Sequence, residues 1–317
     1  MSKGLASSVM MVRPIAFRYN EQTATNNHYQ KILSQLSSIE VQRRALDEFD
    51  ALVVLLRSHH IEVIVVQDTL EEDTPDSIFP NNWISFHDDG RVGWYPMYAE
   101  NRRLERKKEI LTLLKEQHHF FISEVVDFSH FESDGRFLEG TGSMLLDRVN
   151  KIAYAAQSLR TDARVLEGFC RSFGFRSITF KSYQTVGSER LPIYHTNVML
   201  SLGDSFAVLC ADTIDNPVEK KSLIACLEDS GKEVIFITEE QKHQFAGNVM
   251  PVVNKLGKKY LVMSRAAHQS LATEQIEQIE KHCQILSAPL DTIEACGGGS
   301  ARCMMAELFL PKNAPKK

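Results

Sequence analysis

One local pattern recurs along this 317-residue chain: a β-hairpin, then a helix, then a strand. Each hairpin is marked by two short apolar runs on either side of a turn that contains Gly or Asn. A supersecondary unit repeated about every 40 to 60 residues predicts a radial or stacked α/β arrangement. The hairpin runs are 83–87 with 91–95, 143–147 with 151–154, 198–202 with 206–209, and 249–253 with 260–263.

The segments between the hairpins complete the units. Apolar residues at helical spacing predict helices over 41–60, 100–117, 162–173, 218–229 and 273–282, and short apolar runs predict strands over 61–66, 120–126, 233–236 and 284–287. Residues 1–12 are interpreted as a terminal segment before the first strand. No G-x-G-x-x-G follows a strand and opens a helix, which disfavours a dinucleotide-binding fold. With no low-complexity linker, we expect residues 1–317 to form a single domain.

Composition excludes several classes of protein. Hydrophobic residues make up 43% and charged residues 24% of the chain, and the net charge is -5, so the sequence predicts a globular protein without a nucleic-acid partner. No apolar run reaches the roughly 20 residues that span a bilayer, so no membrane partner is expected. None of the six cysteines lies in a C-x-x-C pair or at zinc spacing to histidine. A chain of this length needs no disulfides, and a cytoplasmic location is expected.

Three residues together suggest covalent catalysis. Cys303 follows three glycines and stands next to Arg302, a cation that favours the thiolate. A nucleophile also needs a base and a group that orients the base, and His195 and Glu139 can serve in these roles. Each residue alone has a more ordinary interpretation, as a buried thiol, an interior histidine or a solvated carboxylate. Their joint presence among small and polar residues favours the catalytic interpretation.

The motifs around these residues resemble the pentein superfamily of guanidino-group-modifying enzymes, and most closely its citrulline-utilisation hydrolases. The resemblance extends from Arg13-Pro14 to Cys303. The matching motifs are Phe79-Pro80-Asn81-Asn82-Trp83, Pro96-Met97-Tyr98 followed by Arg102, Glu139-Gly140, Ser158-Leu159-Arg160-Thr161, His195 and Cys303.

The resemblance implies a fold and a set of roles. The fold would be a five-bladed α/β propeller of hairpin–helix–strand units with pseudo-fivefold symmetry and a central active site. Cys303, His195 and Glu139 would be catalytic. Phe79, Asn82 and Asn197 would contact the reacting group, and Arg102 and Arg160 would bind the substrate carboxylate. Neither a metal nor an organic cofactor is implied, the partner is a small amino-acid substrate, and a homodimer is possible by analogy with relatives.

The departures from the superfamily pattern concern charge. Arginine deiminases carry aspartate where this chain has Asn82 and Asn197, and their Glu-Gly-Gly-Asp becomes Glu139-Gly-Thr-Gly-Ser143. A carboxylate about 4 Å from a guanidinium contributes roughly 4 kcal/mol at an effective dielectric near 20. An asparagine can both accept from and donate to a neutral ureido group. The sequence therefore favours free citrulline, hydrolysed to ornithine, ammonia and carbon dioxide.

Three alternatives remain open at this point. The same fold could act on a guanidinium, as an arginine deiminase, a dimethylarginine dimethylaminohydrolase or an amidinotransferase, with Asp68, Asp73 or Asp76 supplying a carboxylate. The chain could instead be a non-catalytic binding protein on a pentein scaffold. A papain-like or transglutaminase-like cysteine hydrolase is disfavoured, because the cysteine of those enzymes usually opens a helix.

Overall fold

Five three-stranded sheets with one common strand order account for most of the strands in the computed structural model, which describes residues 4–312. In each sheet the central strand pairs antiparallel with one neighbour and parallel with the other. In chain order the sheets are β1 (Ser8–Arg13) with β2 (Glu62–Gln67) and β17 (Ala306–Glu307); β3 (Ile84–Phe86), β4 (Arg91–Trp94) and β5 (Glu124–Asp127); β6 (Leu145–Asp147), β7 (Ile152–Gln157) and β8 (Arg176–Lys181); β11 (Leu200–Leu202), β12 (Phe206–Leu209) and β13 (Glu233–Phe236); and β14 (Met250–Val253), β15 (Lys259–Ser264) and β16 (Gln284–Ala288).

The sheet that contains β1 is assembled from distant parts of the chain. Strand β17 pairs antiparallel with β1, with Val9 opposite Glu307, and β2 pairs parallel with β1 on its other side. A separate hairpin is formed by β9 (Tyr183–Val186) and β10 (Glu189–Pro192).

Helices connect the strands and cover the sheets. Their apolar sides are buried, as on the longest helix, where Phe49, Leu52 and Leu56 have no exposed surface. They are α1 (Glu21–Ala24), α2 (Ser38–Ser58), α3 (Glu100–Arg103), α4 (Glu109–Glu116), α5 (Gly140–Ser143), α6 (Ala163–Phe173), α7 (Pro217–Asp229), α8 (Glu239–His243), α9 (Arg265–Ser270), α10 (Thr273–Glu280) and α11 (Asp291–Gly297). None of the helices in the described part of the chain is long and apolar enough to cross a membrane.

The ends of several helices follow from local chemistry. Asp162 caps α6, because its side chain accepts hydrogen bonds from the backbone N–H groups of Arg164 and Val165. Gly174, with a φ of 71°, then ends the helix in the left-handed region that glycine tolerates. These two signals explain why the predicted helix over 162–173 is found almost unchanged.

The predicted elements need several corrections and additions. The helix predicted over 100–117 is two helices, α3 and α4, separated by residues 104–108. Residues 8–12, interpreted as terminal, belong to the buried strand β1. The elements that were not predicted include β8, the β9–β10 hairpin, and helices α1, α5, α8, α9 and α11. The single-domain prediction over 1–317 includes residues 1–3 and 313–317, which lie outside the described residues.

Candidate active site

The predicted catalytic residues and Asn82 share one position in the repeat, just before the first strand of a sheet. Asn82 ends a 3-10 turn (Pro80–Asn82) before β3, and Glu139 precedes α5 and β6. His195 precedes the 3-10 turn (Thr196–Val198) that leads into β11, and Cys303 lies in the turn before β17. The repeat therefore brings residues that are far apart in sequence to equivalent places in different sheets.

His195 and Glu139 form a buried pair. His195 Nε2 lies 2.7 Å from Glu139 Oε2, and both side chains are almost completely buried. Burial lowers the pKa of His195 to about 4, although the hydrogen bond to Glu139 opposes that shift. Because an ionised carboxylate only accepts hydrogen bonds, the proton of the neutral imidazole belongs on Nε2. Nδ1 is then the unprotonated nitrogen, available as a base.

Glu139 is kept ionised by its surroundings. Burial disfavours its charged form, but the Arg160 guanidinium and His195 outweigh it and hold the pKa of Glu139 well below its usual range. Arg160 Nη1 lies 3.4 Å from Oε2, and the backbone N–H of Tyr98 donates to Oε1 at 2.9 Å. The carboxylate is thus fixed on both oxygens, and it fixes the imidazole in turn.

Cys303 is surrounded by neutral amides. Its Sγ accepts from Asn197 Nδ2 at 3.4 Å and from Asn248 Nδ2 at 3.2 Å, and the residue is 4% exposed. Burial raises the pKa of the thiol, and the hydrogen bonds from Asn248, Ser300 and Asn197 oppose this only in part. The resting sulfur is therefore a thiol at neutral pH.

Arg302 lowers the pKa of this thiol, as predicted, but too weakly to offset the rise that burial causes. The Arg302 guanidinium points away from the sulfur: Nη2 donates to Glu307 at 2.9 Å and Nη1 to the carbonyl of Met305 at 3.1 Å. Its effect on Cys303 is the smallest of those that lower the thiol pKa. Adjacency in sequence does not place two side chains on the same face of the chain, and here they face different ways. We therefore expect alkylation of Cys303 to be slow below neutral pH.

Asn82 has a fixed amide orientation. Its Oδ1 accepts from Arg102 Nη1 at 2.7 Å, which requires the oxygen on that side, and its Nδ2 donates to Asn81 Oδ1 at 3.1 Å. A β-carbon added at Gly142 would lie 2.5 Å from Asn82 Nδ2 and 2.8 Å from His195 Nδ1. Gly142 thus allows the amide nitrogen and the imidazole to approach the same point.

Phe79 packs against the glycines that precede Cys303. A β-carbon at Gly297 would lie 2.7 Å from the Phe79 ring, and one at Gly299 would lie 2.9 Å from the ring and 3.2 Å from the Cys303 Cβ. Distances below about 3.0 Å are not found between real side chains. The glycines are therefore needed so that a flat aromatic ring can lie directly beside the nucleophile.

Both predicted carboxylate-binding arginines already have protein partners. Arg102 donates from Nε and Nη2 to Glu105, both at 2.9 Å, from Nη2 also to the Phe79 carbonyl, and from Nη1 to Asn82. Arg160 donates to Asn26, to the Thr23 carbonyl and to Glu139. A guanidinium has five N–H groups, so one Nη1 hydrogen of each arginine is left over.

Asp76, which the sequence analysis named only for a guanidinium substrate, also lies at the site. Asp76 Oδ2 accepts from Asn20 Nδ2 at 2.8 Å and from Thr23 Oγ1 at 2.9 Å. Its Oδ1 is buried and has no hydrogen-bond partner among residues 4–312. Burial raises the pKa of Asp76, and the charge of Arg102 opposes the rise. Its sequence signal was its place three residues before Phe79.

The two other aspartates considered with Asp76 lie elsewhere. Asp73 pairs with Arg18 at 2.6 Å and Asp68 with Lys107 at 2.8 Å, and neither residue lines the cavity beside Cys303. Only Asp76 of the three can therefore contact a molecule bound there.

A narrow cavity of about 10 Å³, the room that one water molecule needs, lies beside the sulfur. It is lined by Thr23, Asn27, Asp76, Phe79, Asn82, Arg102, Arg160, Tyr194, His195, Gly297, Gly298, Gly299 and Cys303. Of the eight predicted site residues, six line it directly, and Glu139 and Asn197 contact it through His195 and Cys303. Within residues 4–312 no group of three or more His, Cys, Asp or Glu side chains is placed to hold a metal ion. The cavity faces a thiol and an imidazole, and its walls would have to move apart to admit a ligand larger than water.

Comparison with known proteins identifies the family of this chain. The chain belongs to the pentein superfamily of guanidino-modifying enzymes, and its family is the one described as N,N dimethylarginine dimethylhydrolase, eukaryotic, whose model matches residues 13–310. The superfamily inferred from the sequence motifs is thereby confirmed. A comparison with curated protein sequences finds no match.

Solved structures share the fold at low sequence identity. The N-terminal domain of ArgZ bound to product, an arginine dihydrolase from the ornithine-ammonia cycle in Cyanobacteria, is 17% identical with a TM-score of 0.68, over 96% of this chain and 99% of that one. Unliganded AgrE is 16% identical with a TM-score of 0.71, over 97% of this chain and 40% of that one. A dimethylarginine dimethylaminohydrolase adduct with S-methyl-L-thiocitrulline is 15% identical with a TM-score of 0.62, over 96% and 100% of the two chains. At these identities the likeness extends to the fold alone.

Proposed function

We propose that this protein hydrolyses free citrulline to ornithine, ammonia and carbon dioxide through a covalent intermediate on Cys303. The observation that carries the proposal is the hydrogen-bonding character of the amides at the reaction end. Asn82 Oδ1 already accepts from Arg102, so the N–H that remains on Asn82 Nδ2 is the group that it offers most readily to a ligand. Asn197 lies behind the sulfur of Cys303, and its Oδ1 is buried without a hydrogen-bond partner in the described part of the chain, so it can accept from a ligand group that reaches past the sulfur.

One donor and one acceptor match a ureido group. The ureido carbonyl oxygen accepts from Asn82 Nδ2, and the ureido NH₂ donates to Asn197 Oδ1. A guanidinium presents only N–H groups and would direct one of them at the Asn82 amide nitrogen. An unpaired buried donor costs about 1–3 kcal/mol. Arg102, bound to the same amide, adds like-charge repulsion against a cationic ligand.

Charged side chains at the cavity match the α-ammonium and α-carboxylate groups of a free amino acid. The Asp76 Oδ1, buried and without a protein partner, can accept from an α-ammonium group. The remaining Nη1 hydrogens of Arg102 and Arg160 can bind an α-carboxylate by charge-assisted hydrogen bonds. This proposal retains the role predicted for the two arginines, and it gives the carboxylate of Asp76 a role in binding the α-ammonium group.

The chemical steps balance with His195 as the only proton carrier. His195 Nδ1 takes the thiol proton as Sγ bonds to the carbonyl carbon, and Asn82 Nδ2 stabilises the oxyanion. The imidazolium, supported by Glu139, then gives that proton to the departing ammonia and leaves an S-alkylcarbamoyl cysteine. A water molecule gives a proton to Nδ1 and attacks the carbonyl carbon. The thiol is re-formed, and the released carbamate decarboxylates to ornithine and carbon dioxide.

The second candidate is hydrolysis of a guanidino group. The buried Asp76 carboxylate favours it if the substrate lies with its cationic end there, and the similar solved structures include an arginine dihydrolase and a dimethylarginine dimethylaminohydrolase. A cationic substrate would also lower the pKa of the Cys303 thiol directly, so that less would be required of His195.

A substrate panel separates the two candidates. Ammonia and ornithine release is measured with citrulline, arginine, dimethylarginine and agmatine, and kcat/KM for citrulline is expected to exceed that for arginine by at least about 100-fold, the effect of one mismatched buried polar group. Higher turnover of arginine than of citrulline would reverse the assignment. Activity that requires an added amine acceptor would indicate an amidinotransferase.

Asn82→Asp tests the amide argument itself. The aspartate keeps the contact with Arg102 but loses the N–H donor to the ureido oxygen, so kcat for citrulline is expected to fall about 100-fold. Asn216→Asp is the matched control, because Asn216 caps α7 on the surface and aspartate caps a helix equally well. Unchanged citrulline turnover in Asn82→Asp would refute the role of the amide.

We also propose that the five sheets form the five-bladed propeller that the sequence resemblance implies, as one domain. Contacts of β3 with β17, β6 with β11, and β11 with β14 support this, because each of these pairs joins the first strands of two neighbouring sheets.

A further inference from the structure

Asn248 lies closest to the nucleophile of all the side chains that hydrogen-bond to it, yet it belongs to no predicted motif. Its Nδ2 donates to Cys303 Sγ at 3.2 Å, a shorter contact than that from Asn197. The residue is 1% exposed and stands two positions before β14. In the repeat this is the position that Asn82 holds before β3, so the sheet of β14, β15 and β16 also contributes a side chain to the site.

Three contacts fix the amide of Asn248. Its Oδ1 accepts from the backbone N–H of Ser300 at 3.2 Å, and its Nδ2 donates to the Asn197 carbonyl at 3.0 Å as well as to the sulfur. A flipped amide would set its oxygen against the Asn197 carbonyl and its nitrogen against the Ser300 N–H. The orientation that points an N–H at the sulfur is therefore the only one that satisfies the neighbours.

The same contacts tie Asn248 to the turn that carries the nucleophile. Cys303 N–H donates to the Ser300 carbonyl at 2.9 Å, and the Arg302 N–H donates to the Asn248 carbonyl at 3.3 Å. The Ser300 hydroxyl is held by Glu294 at 2.6 Å. Asn248 is thus bound to the turn at Ser300, Arg302 and Cys303, and it cannot move independently of this turn.

We propose that Asn248 is a catalytic residue that stabilises the Cys303 thiolate in place of a cation. The thiolate has to form in a buried site from which Arg302 is turned away, and the N–H groups of Asn248 and Asn197 are the donors directed at it. Hydrogen bonds to a charged acceptor are about twice as strong as those between neutral groups, so the Asn248 contact strengthens as the sulfur loses its proton. This inference rests on the proposed role of Cys303 as the nucleophile.

Asn248→Asp is the sharpest variant. Aspartate keeps an oxygen for the Ser300 N–H but replaces the donor facing the sulfur with a carboxylate oxygen, which repels a thiolate. The rate of Cys303 alkylation by iodoacetamide is followed as a function of pH by mass spectrometry of the peptide that contains Cys303. The apparent thiol pKa is expected to rise by at least about one unit, the loss of roughly one charge-assisted hydrogen bond.

The second readout is turnover of citrulline. Asn248→Asp is expected to lower kcat at least about 100-fold and Asn248→Ala about tenfold, each with KM changed less than about threefold, because the contact is to the sulfur and not to the substrate. Asn254→Asp is the matched control. Asn254 is similarly buried and also donates its amide to a backbone carbonyl, that of His59, but it lies in the β14–β15 turn away from the sulfur.

The outcomes separate this inference from the proposed function. If wild-type protein does not release ammonia from citrulline but the alkylation profile still shifts in Asn248→Asp, the substrate assignment fails and the role of Asn248 stands. If folded Asn248→Asp, judged by an unchanged melting temperature, has the wild-type alkylation profile, the inference is overturned. Equal losses in Asn248→Asp and Asn254→Asp would also overturn it, since the effect would then be structural.

Discussion

The two sides of the cavity differ in the charge of the groups that surround the reactive side chain. On the His195 side, Glu139 is ionised and bound by Arg160 and by the imidazole, so the base is held by charged groups. On the Cys303 side, the sulfur is protonated at rest and is contacted by the neutral amides of Asn197 and Asn248. Positive charge thus fixes the carboxylate that holds His195, whereas in the proposed mechanism the sulfur of Cys303 is activated only by His195 during the reaction.

The first test removes the nucleophile. Cys303→Ala is expected to lower citrulline turnover more than about 10⁴-fold, since without the sulfur no covalent intermediate forms and only binding remains. Ammonia release measures the loss. Cys226→Ala, at a half-buried cysteine on α7, is the control and should retain wild-type turnover. Near wild-type activity in Cys303→Ala would refute the covalent mechanism and, with it, the contrast between the His195 side and the Cys303 side.

The second test removes the charge on the opposite side. Glu139→Gln keeps an acceptor for the Tyr98 N–H but no longer enforces the Nε2–H tautomer or supports the imidazolium, so kcat is expected to fall about 10³-fold. Steady-state kinetics measure the change. Glu132→Gln, at a carboxylate bound to Arg106, is the control. A loss of less than tenfold would mean that the ionised carboxylate is not required by the base.

The smallest expected effect is on the free energy of unfolding, and it concerns a buried carboxyl on the Cys303 side of the cavity. Burial raises the pKa of Glu294 to about 7, so this carboxyl beside Ser300 resists ionisation. Below pH 4.5 it is protonated in both the folded and unfolded states. Between pH 4.5 and 7 only the unfolded state releases the proton, so its contribution to stability falls as pH rises, by up to about 3 kcal/mol.

Glu294→Gln measures this contribution. The free energy of unfolding of wild-type protein relative to Glu294→Gln, from urea denaturation, is expected to decrease from pH 4.5 to 7. Glu277→Gln, at an exposed position on α10, should reproduce the wild-type pH dependence. A difference between wild type and Glu294→Gln that increases over the same range would contradict the assignment of a neutral carboxyl on the Cys303 side.

The sequence predicted the repeat and the charged side of the site well, because both have local signals. The hairpins carry turn residues between apolar runs, and α2, α6 and α10 have clear periodicity. Helix α11 was missed because its sequence, Asp291–Gly297, is short and leads into a glycine run. The β9–β10 hairpin was missed because it is largely exposed and has no apolar face.

The site was harder to predict where it depends on the direction of a side chain. Arg302 was taken as a partner of Cys303 because the two are adjacent, but only the turn geometry decides that its guanidinium reaches Glu307 instead. Asn248 has no charge and no motif. Its position before β14, equivalent to that of Asn82 before β3, was a signal that the repeat itself could have provided.

The pairing of β1 with β17 determines when the active site can form during synthesis of the chain. Cys303 lies three residues before β17, and that strand reaches its place only by pairing with β1, which the ribosome makes long before it. A nascent chain on the ribosome can therefore form four of its sheets before the thiol arrives. If Cys303 acts as proposed, the active site becomes complete only when β17 pairs with β1, which also completes the fifth sheet. A partly folded chain would therefore have no complete active site.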